Sequence, residues 1–97
     1  MNVGVCKISI RIPESRSLKG KRRVVNSLCS RVRNKFNVAI SEVDDNETWQ
    51  LATLGFTCVG NNSRHMNEIL DQVISFIERN QNDFEVLGQE RETVTGF

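Results

Sequence analysis

The chain has 97 residues, of which 38% are hydrophobic and 26% are charged, and its formal net charge is +1. This composition is typical of one folded domain and excludes a disordered chain, which would hold fewer apolar residues and a larger net charge. Lys7 and Arg11 interrupt the first apolar stretch, so it fits neither a secretory signal nor the about 20 apolar residues of a membrane span. Three widely separated cysteines do not favour a disulfide framework. We therefore expect a single cytoplasmic domain over residues 1–97, with no membrane contact and a flexible tail from about residue 94.

Hydrophobic periodicity predicts two helices and four strands. Alternation of apolar and polar residues over residues 3–12 predicts a first strand, which Pro13 ends. Residues 17–36 carry an apolar stripe at helical spacing, with Ser17 as the predicted N-cap. The remaining predicted elements are strands over residues 37–45 and 50–59, a helix that follows residues 60–63 and ends near residue 80, and a strand over residues 84–93.

The order β-α-β-β-α-β predicts an α+β fold, the ferredoxin-like sandwich. In this fold a four-stranded antiparallel sheet, with strand order 4-1-3-2, carries two helices on one face. Cys6, Phe56 and Cys58 are then predicted to face the core from the two central strands. The opposite side of those strands offers no aromatic residue on which RNA bases could stack, and its positions are Lys7, Ser9, Arg11, Thr53, Gly55 and Thr57.

Charge divides the chain into a basic and an acidic part. The first 36 residues contain ten Lys or Arg and one acid, whereas the remaining 61 contain three Lys or Arg and eleven acids. Helix stability does not explain the basic part. Lys19–Arg23 and Arg31–Lys35 are like-charge pairs at i, i+4, and cations near a helix N-terminus oppose the macrodipole. The pattern therefore indicates an anionic partner.

We predict that this partner is structured RNA or a ribosomal subunit, and that the first helix contacts its phosphates. The candidate contact residues are Arg16, Lys19, Lys21, Arg22, Arg23 and Arg33. Two alternatives stay open. The basic helix could be a charged interface with another protein or with a second copy in a homodimer. It could also be a solvated face, with charges that meet acids of the same chain, as Lys7 and Arg11 could meet Glu85, Glu90 or Glu92.

No motif predicts a catalytic, cofactor or metal site. Gly20 and Lys21 lack the spacing of a phosphate-binding loop, and the single histidine, His65, is expected to have a surface or capping role. Asp44, Asp45 and Glu47 lie at the end of the second predicted strand and in the turn that follows it, and they are expected to be hydrated. Asp44 and Trp49 are candidate partner contacts there; for Trp49 the favoured role is to close the edge of the core, and anchoring a partner is the alternative. We therefore expect a non-enzymatic protein; an enzyme or a small-ligand sensor is the least supported alternative.

Several separated motifs resemble the YlxP-like family of small, uncharacterised bacterial proteins. They are the run IPESRSLKGKRRVV at residues 12–25, Phe36-Asn37-Val38, Ser41-Glu42-Val43-Asp44, and Trp49-Gln50 with Leu54-Gly55. The resemblance spans about residues 3–80 and implies a ferredoxin-like fold without supplying an activity. Members are often encoded among translation and ribosome-maturation genes, which implies an association with RNA. The chain departs from the family pattern at Gly20, where an acid is common, and in the turn at residues 45–48.

Overall fold

The computed structural model describes all 97 residues and contains the six predicted elements in the predicted order. The strands are β1 (Asn2–Arg11), β2 (Ala39–Asp44), β3 (Leu51–Gly60) and β4 (Glu85–Val94), and the helices are α1 (Leu18–Lys35) and α2 (Ser63–Arg79). The strands form one antiparallel sheet in the order β2-β3-β1-β4. The predicted α+β ferredoxin-like fold and its strand order are therefore confirmed, with element ends that differ by one or two residues. Neither helix combines the length and the apolar character needed to cross a bilayer.

Both helices begin at the polar residues that local chemistry favours. Ser17 is the N-cap of α1, as predicted, and its Oγ accepts a hydrogen bond of 2.9 Å from the Gly20 N–H. Asn62 caps α2 by accepting from the His65 N–H at 3.1 Å. Each side chain thereby satisfies one of the backbone donors that a helix N-terminus leaves without an internal partner.

The core lies between the two helices and one face of the sheet. Residues at alternate positions of β1 and β3 enter it, including Cys6, Phe56 and Cys58, so their predicted orientation is confirmed. From α2, the buried residues are Met66, Leu70, Val73, Ile74 and Ile77. The intervening positions of the strands point away from the helices to a surface that we call the open face.

A bulge interrupts each edge strand at the same level of the sheet. In β2, Glu42 pairs with Leu54 and Asp44 with Thr53, so Val43 is the extra residue. In β4, Gly88 pairs with Ser9 and Val86 with Ile10, so Leu87 is the extra residue. Because Ser9 also pairs with Thr53, both bulges flank the row of Ser9. A bulge disrupts the ladder and re-aims the side chains beside it.

Candidate nucleic-acid interface

Helix α1 packs one side on the sheet and presents its cations on the other. Val25, Leu28, Cys29 and Val32 are buried, and the positions on the opposite side are exposed. Five of the six predicted phosphate contacts are exposed, four on this side of α1 and Arg16 just before its N-cap. We call them the α1 basic face, and they are Arg16, Lys19, Arg22, Arg23 and Arg33. From residue 19 to residue 33 the helix rises about 21 Å, which is long enough to reach several phosphates.

The α1 basic face has no internal counter-charge. The three ion pairs of Lys or Arg in the molecule all lie elsewhere, as does the contact of His65 with Glu68, and they are Arg11–Glu85, Lys21–Glu42 and Arg91–Asp71. Within the face, Arg33 alone makes a side-chain hydrogen bond to the protein, donating from Nη2 to the Ile40 carbonyl at 2.9 Å. The charges of the face are therefore available to an external anion. The alternative that basic residues meet acids of the same chain is correct for two of them. Arg11 pairs with Glu85 across the β1–β4 ladder, and Lys21 pairs with Glu42.

Lys21 does not belong to the α1 basic face. Its side chain is 0% exposed, and Nζ donates to Glu42 Oε2 at 2.8 Å and to the carbonyls of Asp45 at 2.6 Å and Leu51 at 3.2 Å. These three acceptors match the three N–H donors of an ammonium group. The prediction that Lys21 contacts RNA phosphates is therefore wrong, because its charge is neutralised inside the protein.

The spacing of Lys21 from the apolar residues of α1 could have predicted that its side chain is buried. It precedes Val25, Leu28 and Val32 by four, seven and eleven residues, which puts it on the apolar stripe of α1. The neighbouring charges suggested a surface position, since lysine is rarely buried without a partner. Its acceptors are 21, 24 and 30 residues away along the chain, so no local pattern could identify them.

The turn between β2 and β3 provides one of those acceptors, the Asp45 carbonyl, and the two strands provide the others. Asp45 has a φ of 63°, a left-handed conformation that aspartate tolerates better than most residues. Its N–H donates to Asp44 Oδ1 at 2.8 Å, and its Oδ2 accepts from Thr53 Oγ1 at 2.7 Å. With its carbonyl on Lys21, Asp45 connects the turn to both α1 and β3. The structural roles of Glu42 and Asp45 were missed in the sequence, where Asp45 was expected to be hydrated in an acidic turn and Glu42 appeared only in a motif shared with the YlxP-like family.

The two candidate partner contacts both lie at the surface near this turn. Asp44 is exposed, and Trp49 is 55% exposed. The favoured expectation, that Trp49 closes the edge of the core, is therefore wrong. Gln50 Nε2 donates to the carbonyls of Pro13 and Ser15, at 3.3 and 3.2 Å, which holds the turn next to the start of α1. That Asp44 or Trp49 contacts a partner stays a prediction.

Two further cations of α1 face the second helix instead of the basic face. Lys35 Nζ lies 5.0 Å from the centre of the Phe76 ring, within the range of a cation–π contact. Arg31 Nη1 is 3.5 Å from Asn80 Oδ1. Their position on another side of the molecule makes them useful as controls. No group of three or more His, Cys, Asp or Glu side chains is placed to hold a metal ion.

Comparison with known proteins identifies a family and a similar fold. Residues 3–91 match the family described as "Protein of unknown function (DUF503)". The chain is 36% identical over 76 residues to "Uncharacterized protein YlxP" of Bacillus subtilis (strain 168), covering 78% of this chain and 83% of that protein. The structure is similar to "De novo designed protein Foldit4", with a TM-score of 0.52 over 98% of this chain and 99% of that one. At 15% identity, the second likeness concerns the fold alone.

Proposed function

This chain belongs to the DUF503 family, as its YlxP-like motifs predicted, and we propose that it is a non-enzymatic accessory protein that binds structured RNA. The family description names no activity, so the proposal rests on the surface of this chain. The RNA we propose is that of a ribosomal subunit or its precursor, in keeping with the expectation from the YlxP-like motifs. The contact surface is the α1 basic face.

One observation carries the proposal: five exposed cations, four on one side of α1 and Arg16 just before its N-cap, make no ion pair to the protein. Lys19 and Arg23 are one turn apart, and their repulsion costs the isolated helix a few tenths of a kcal/mol. Phosphates that dock on the face relieve this repulsion. The N-terminal half of α1 also attracts phosphates, because the helix macrodipole favours anions there.

The expected binding mode is recognition of the RNA backbone rather than of its sequence. Arginine and lysine contacts to phosphates position a protein on a nucleic acid and carry little base information. The open face of the sheet supplies no aromatic platform, since its central positions are Lys7, Ser9, Arg11, Thr53, Gly55 and Thr57. Binding by phosphate contacts makes shape and salt concentration the main determinants of affinity.

Sedimentation with purified ribosomal subunits, at low and at physiological salt, tests the proposal. We expect the wild-type protein to co-sediment at both salt concentrations. A triple variant, Lys19→Glu/Arg22→Glu/Arg23→Glu, should be lost from the subunit fraction. These three residues are exposed and make no contact that holds the fold, so the melting temperature should change little. Unchanged co-sedimentation of this variant would refute the assignment of the α1 basic face.

A matched control separates a specific surface from total charge. The variant Arg31→Glu/Arg64→Glu/Arg79→Glu changes the net charge by the same amount but places the new acids on or beside α2. We expect it to retain most of the binding. Equal loss in both variants would mean that net charge alone attracts the protein, and the proposed interface would be wrong.

Salt dependence gives a quantitative check on the number of phosphate contacts. Five contacts predict that the logarithm of the binding constant falls with the logarithm of salt concentration with a slope of about −4. Replacing Arg23 by Gln should reduce that slope by about one. If no subunit binds at physiological salt, the basic face is better explained as a protein interface, the alternative that the sequence leaves open.

A further inference from the structure

The open face of the sheet concentrates the exposed apolar side chains of the molecule. The exposed large hydrophobic residues number eight, and five of them belong to strands and lie on this face. They are Val5, Val43, Val59, Leu87 and Val94, with exposures between 40% and 64%. Scattered apolar residues are ordinary on a protein surface, whereas a set gathered on one uncovered layer indicates an interface.

Gly55 forms a hollow in the middle of this apolar set. A groove of about 470 Å³ is lined there by Val5, Ala39, Val43 and Thr57. Val43, raised by the β2 bulge, covers one side of the hollow, and its Cγ1 is 2.9 Å from the point that a Cβ on Gly55 would occupy. A second groove of about 480 Å³, with polar walls, lies between the two bulges. The open face is therefore concave along its middle and raised at both edges.

The charges of the open face suit another copy of the same face better than a nucleic acid. Lys7 and Arg11 of β1 lie next to Glu90 and Glu85 of β4, so both signs are present. A two-fold axis parallel to the strands, through the middle of the sheet, places β1 over β3 of the partner and β4 over β2. On the open face, Asp44 is the one charged residue of β2 and β3. The charged residues of β1 and β4 in one copy therefore face almost no residue of like charge in the other copy.

The same two-fold axis determines which side chains face each other between the two copies. Lys7 pairs with Gly55 within the sheet, so the axis puts each Lys7 side chain over the hollow at Gly55 of the other copy. Leu87 and Val43 flank the same row of the sheet, so the axis brings each Leu87 beside Val43 of the other copy. Two antiparallel sheets pack in this way with their strands within about 30° of each other.

The size of the face and the state of the sheet edges agree with this mode of association. Strands of ten residues and three interstrand spacings give a face of about 33 Å by about 14 Å, and two copies bury on the order of 1,000 Å², the lower limit for a specific interface. Edge-to-edge pairing is disfavoured, because β2 is short and bulged, and because β4 carries a bulge and three glutamates.

We propose that a second copy of this chain docks on the open face, forming a reversible two-fold dimer with a dissociation constant in the micromolar range. In this dimer the two α1 basic faces lie on opposite outer surfaces. The proposal does not depend on RNA binding, since it uses the other side of the sheet.

Cysteine cross-linking tests the geometry directly. Within one copy, Val43 and Leu87 are on opposite edge strands, about 14 Å apart, too far for a disulfide. The three native cysteines are buried and free. Facing sheets pack about 10 Å apart, so a short bis-maleimide, and not a direct disulfide, is the suitable cross-linker. We expect it to convert Val43→Cys/Leu87→Cys to a covalent dimer, and each single variant to remain mainly monomeric in denaturing gels. Absence of the covalent dimer in the double variant, at concentrations where the wild type is dimeric, would overturn the proposal.

Sedimentation equilibrium gives the second measurement. We expect the wild-type mass to rise from monomer to dimer across the micromolar range, and Val5→Glu/Val43→Glu to raise the dissociation constant by at least about a hundredfold, because two carboxylates would be buried against apolar groups. Trp49→Glu and the Lys19/Arg22/Arg23 charge reversal should leave the dimer intact. Two results would show that the open face is not the interface. One is a wild type that stays monomeric, and the other is a dimer that Val5→Glu/Val43→Glu leaves intact while one of the two controls disrupts it.

Discussion

Lys21 Nζ and Glu42 Oε2 are 2.8 Å apart and join the first turns of α1 to β2 from the inside of the protein. The lysine side chain is fully buried and the glutamate side chain is 13% exposed. The carbonyls of Asp45 and Leu51 complete the shell of the ammonium group. A buried ion pair of this kind is weak evidence for added stability, because well-packed apolar residues can do as well. Its consequence is positional: the β2–β3 turn is held beside α1.

We expect the loss of one partner of this pair to be costly. Lys21→Met leaves a glutamate and two carbonyls without their donor, and it should lower the free energy of unfolding by about 3–5 kcal/mol. Glu42→Gln keeps an acceptor oxygen and should cost only about 1–2 kcal/mol. Urea denaturation of Lys21→Met, of Glu42→Leu and of the double variant Lys21→Met/Glu42→Leu measures the coupling. The double variant should lose at least about 1 kcal/mol less than the sum of its parts. Additive losses would show that the pair does not act as a unit.

Gly20 offers a substitution that should stabilise α1. It is the third residue after the Ser17 N-cap, and glycine inside a helix costs up to about 1 kcal/mol relative to alanine. An added Cβ would lie 3.3 Å from Ser17 Oγ, a side-chain atom that can move by a few tenths of an ångström. We expect Gly20→Ala to raise the melting temperature and to leave RNA affinity unchanged. A lower melting temperature would show that the cap cannot adjust.

A glutamate at the same position should separate stability from binding. Gly20→Glu completes a capping box with Ser17, since a carboxylate there reaches back to the backbone N–H of the cap. It also suits the positive end of the helix macrodipole. We expect a higher melting temperature together with weaker RNA binding, because the acid lies among the cations of the α1 basic face. Thermal denaturation and subunit co-sedimentation of this variant, compared with Gly20→Ala, provide the measurement.

Gly55 is required by its contact with Val43. Gly55→Ala would bring a Cβ to within 2.9 Å of Val43 Cγ1, so either the bulge of β2 or the side chain must shift. We expect a loss of about 1–3 kcal/mol in the free energy of unfolding, the usual cost of overpacking. Val43→Ala should be nearly neutral alone and should restore most of that loss in the double variant. Failure of this rescue in urea denaturation would place the constraint on the backbone of Gly55 instead.

The buried cysteines predict a loss of stability at alkaline pH. Burial in the core raises the pKa of Cys6, Cys29 and Cys58 above the ordinary value, since it penalises the thiolate. The folded state therefore holds these protons more tightly than the unfolded state. The stability from the neutral thiols is complete below about pH 8.5, the ordinary pKa of cysteine, and it is lost as the pH rises through the raised pKa values.

Urea midpoints measured on both sides of that pH range test this expectation. A Cys6→Ala/Cys29→Ala/Cys58→Ala variant should be less stable at neutral pH and should lose most of the alkaline decline. The native thiols should also react slowly with a thiol reagent and rapidly in denaturant, because the thiolate is the reactive form. An identical alkaline decline in the wild type and the variant would assign it to other groups.

The local signals of the sequence were sufficient for the fold because they act over short distances. The alternation in β1 predicted that Cys6 faces the core, and the hydroxyl of Ser17 predicted the start of α1; both are confirmed. Once the strand order is known, the pairing of Arg11 with Glu85 follows from the neighbouring positions of β1 and β4. Periodicity, capping and topology thus predicted the helices and strands and the order of the sheet. They also predicted correctly that five of the six candidate cations are exposed on or just before α1.

The environment of each charge was decided only by the tertiary structure. In the chain, Lys21 and Arg22 are adjacent cations in one basic run, yet one is buried and the other exposed. The difference depends on Glu42 and on two carbonyls that approach Lys21 only after the β2–β3 turn has packed against α1. Hydrophobic periodicity is a local pattern, so it predicts the helices and strands without knowledge of how they pack. Which cation would meet an internal acceptor, and which would remain for an external anion, depended on distances that only the folded chain creates.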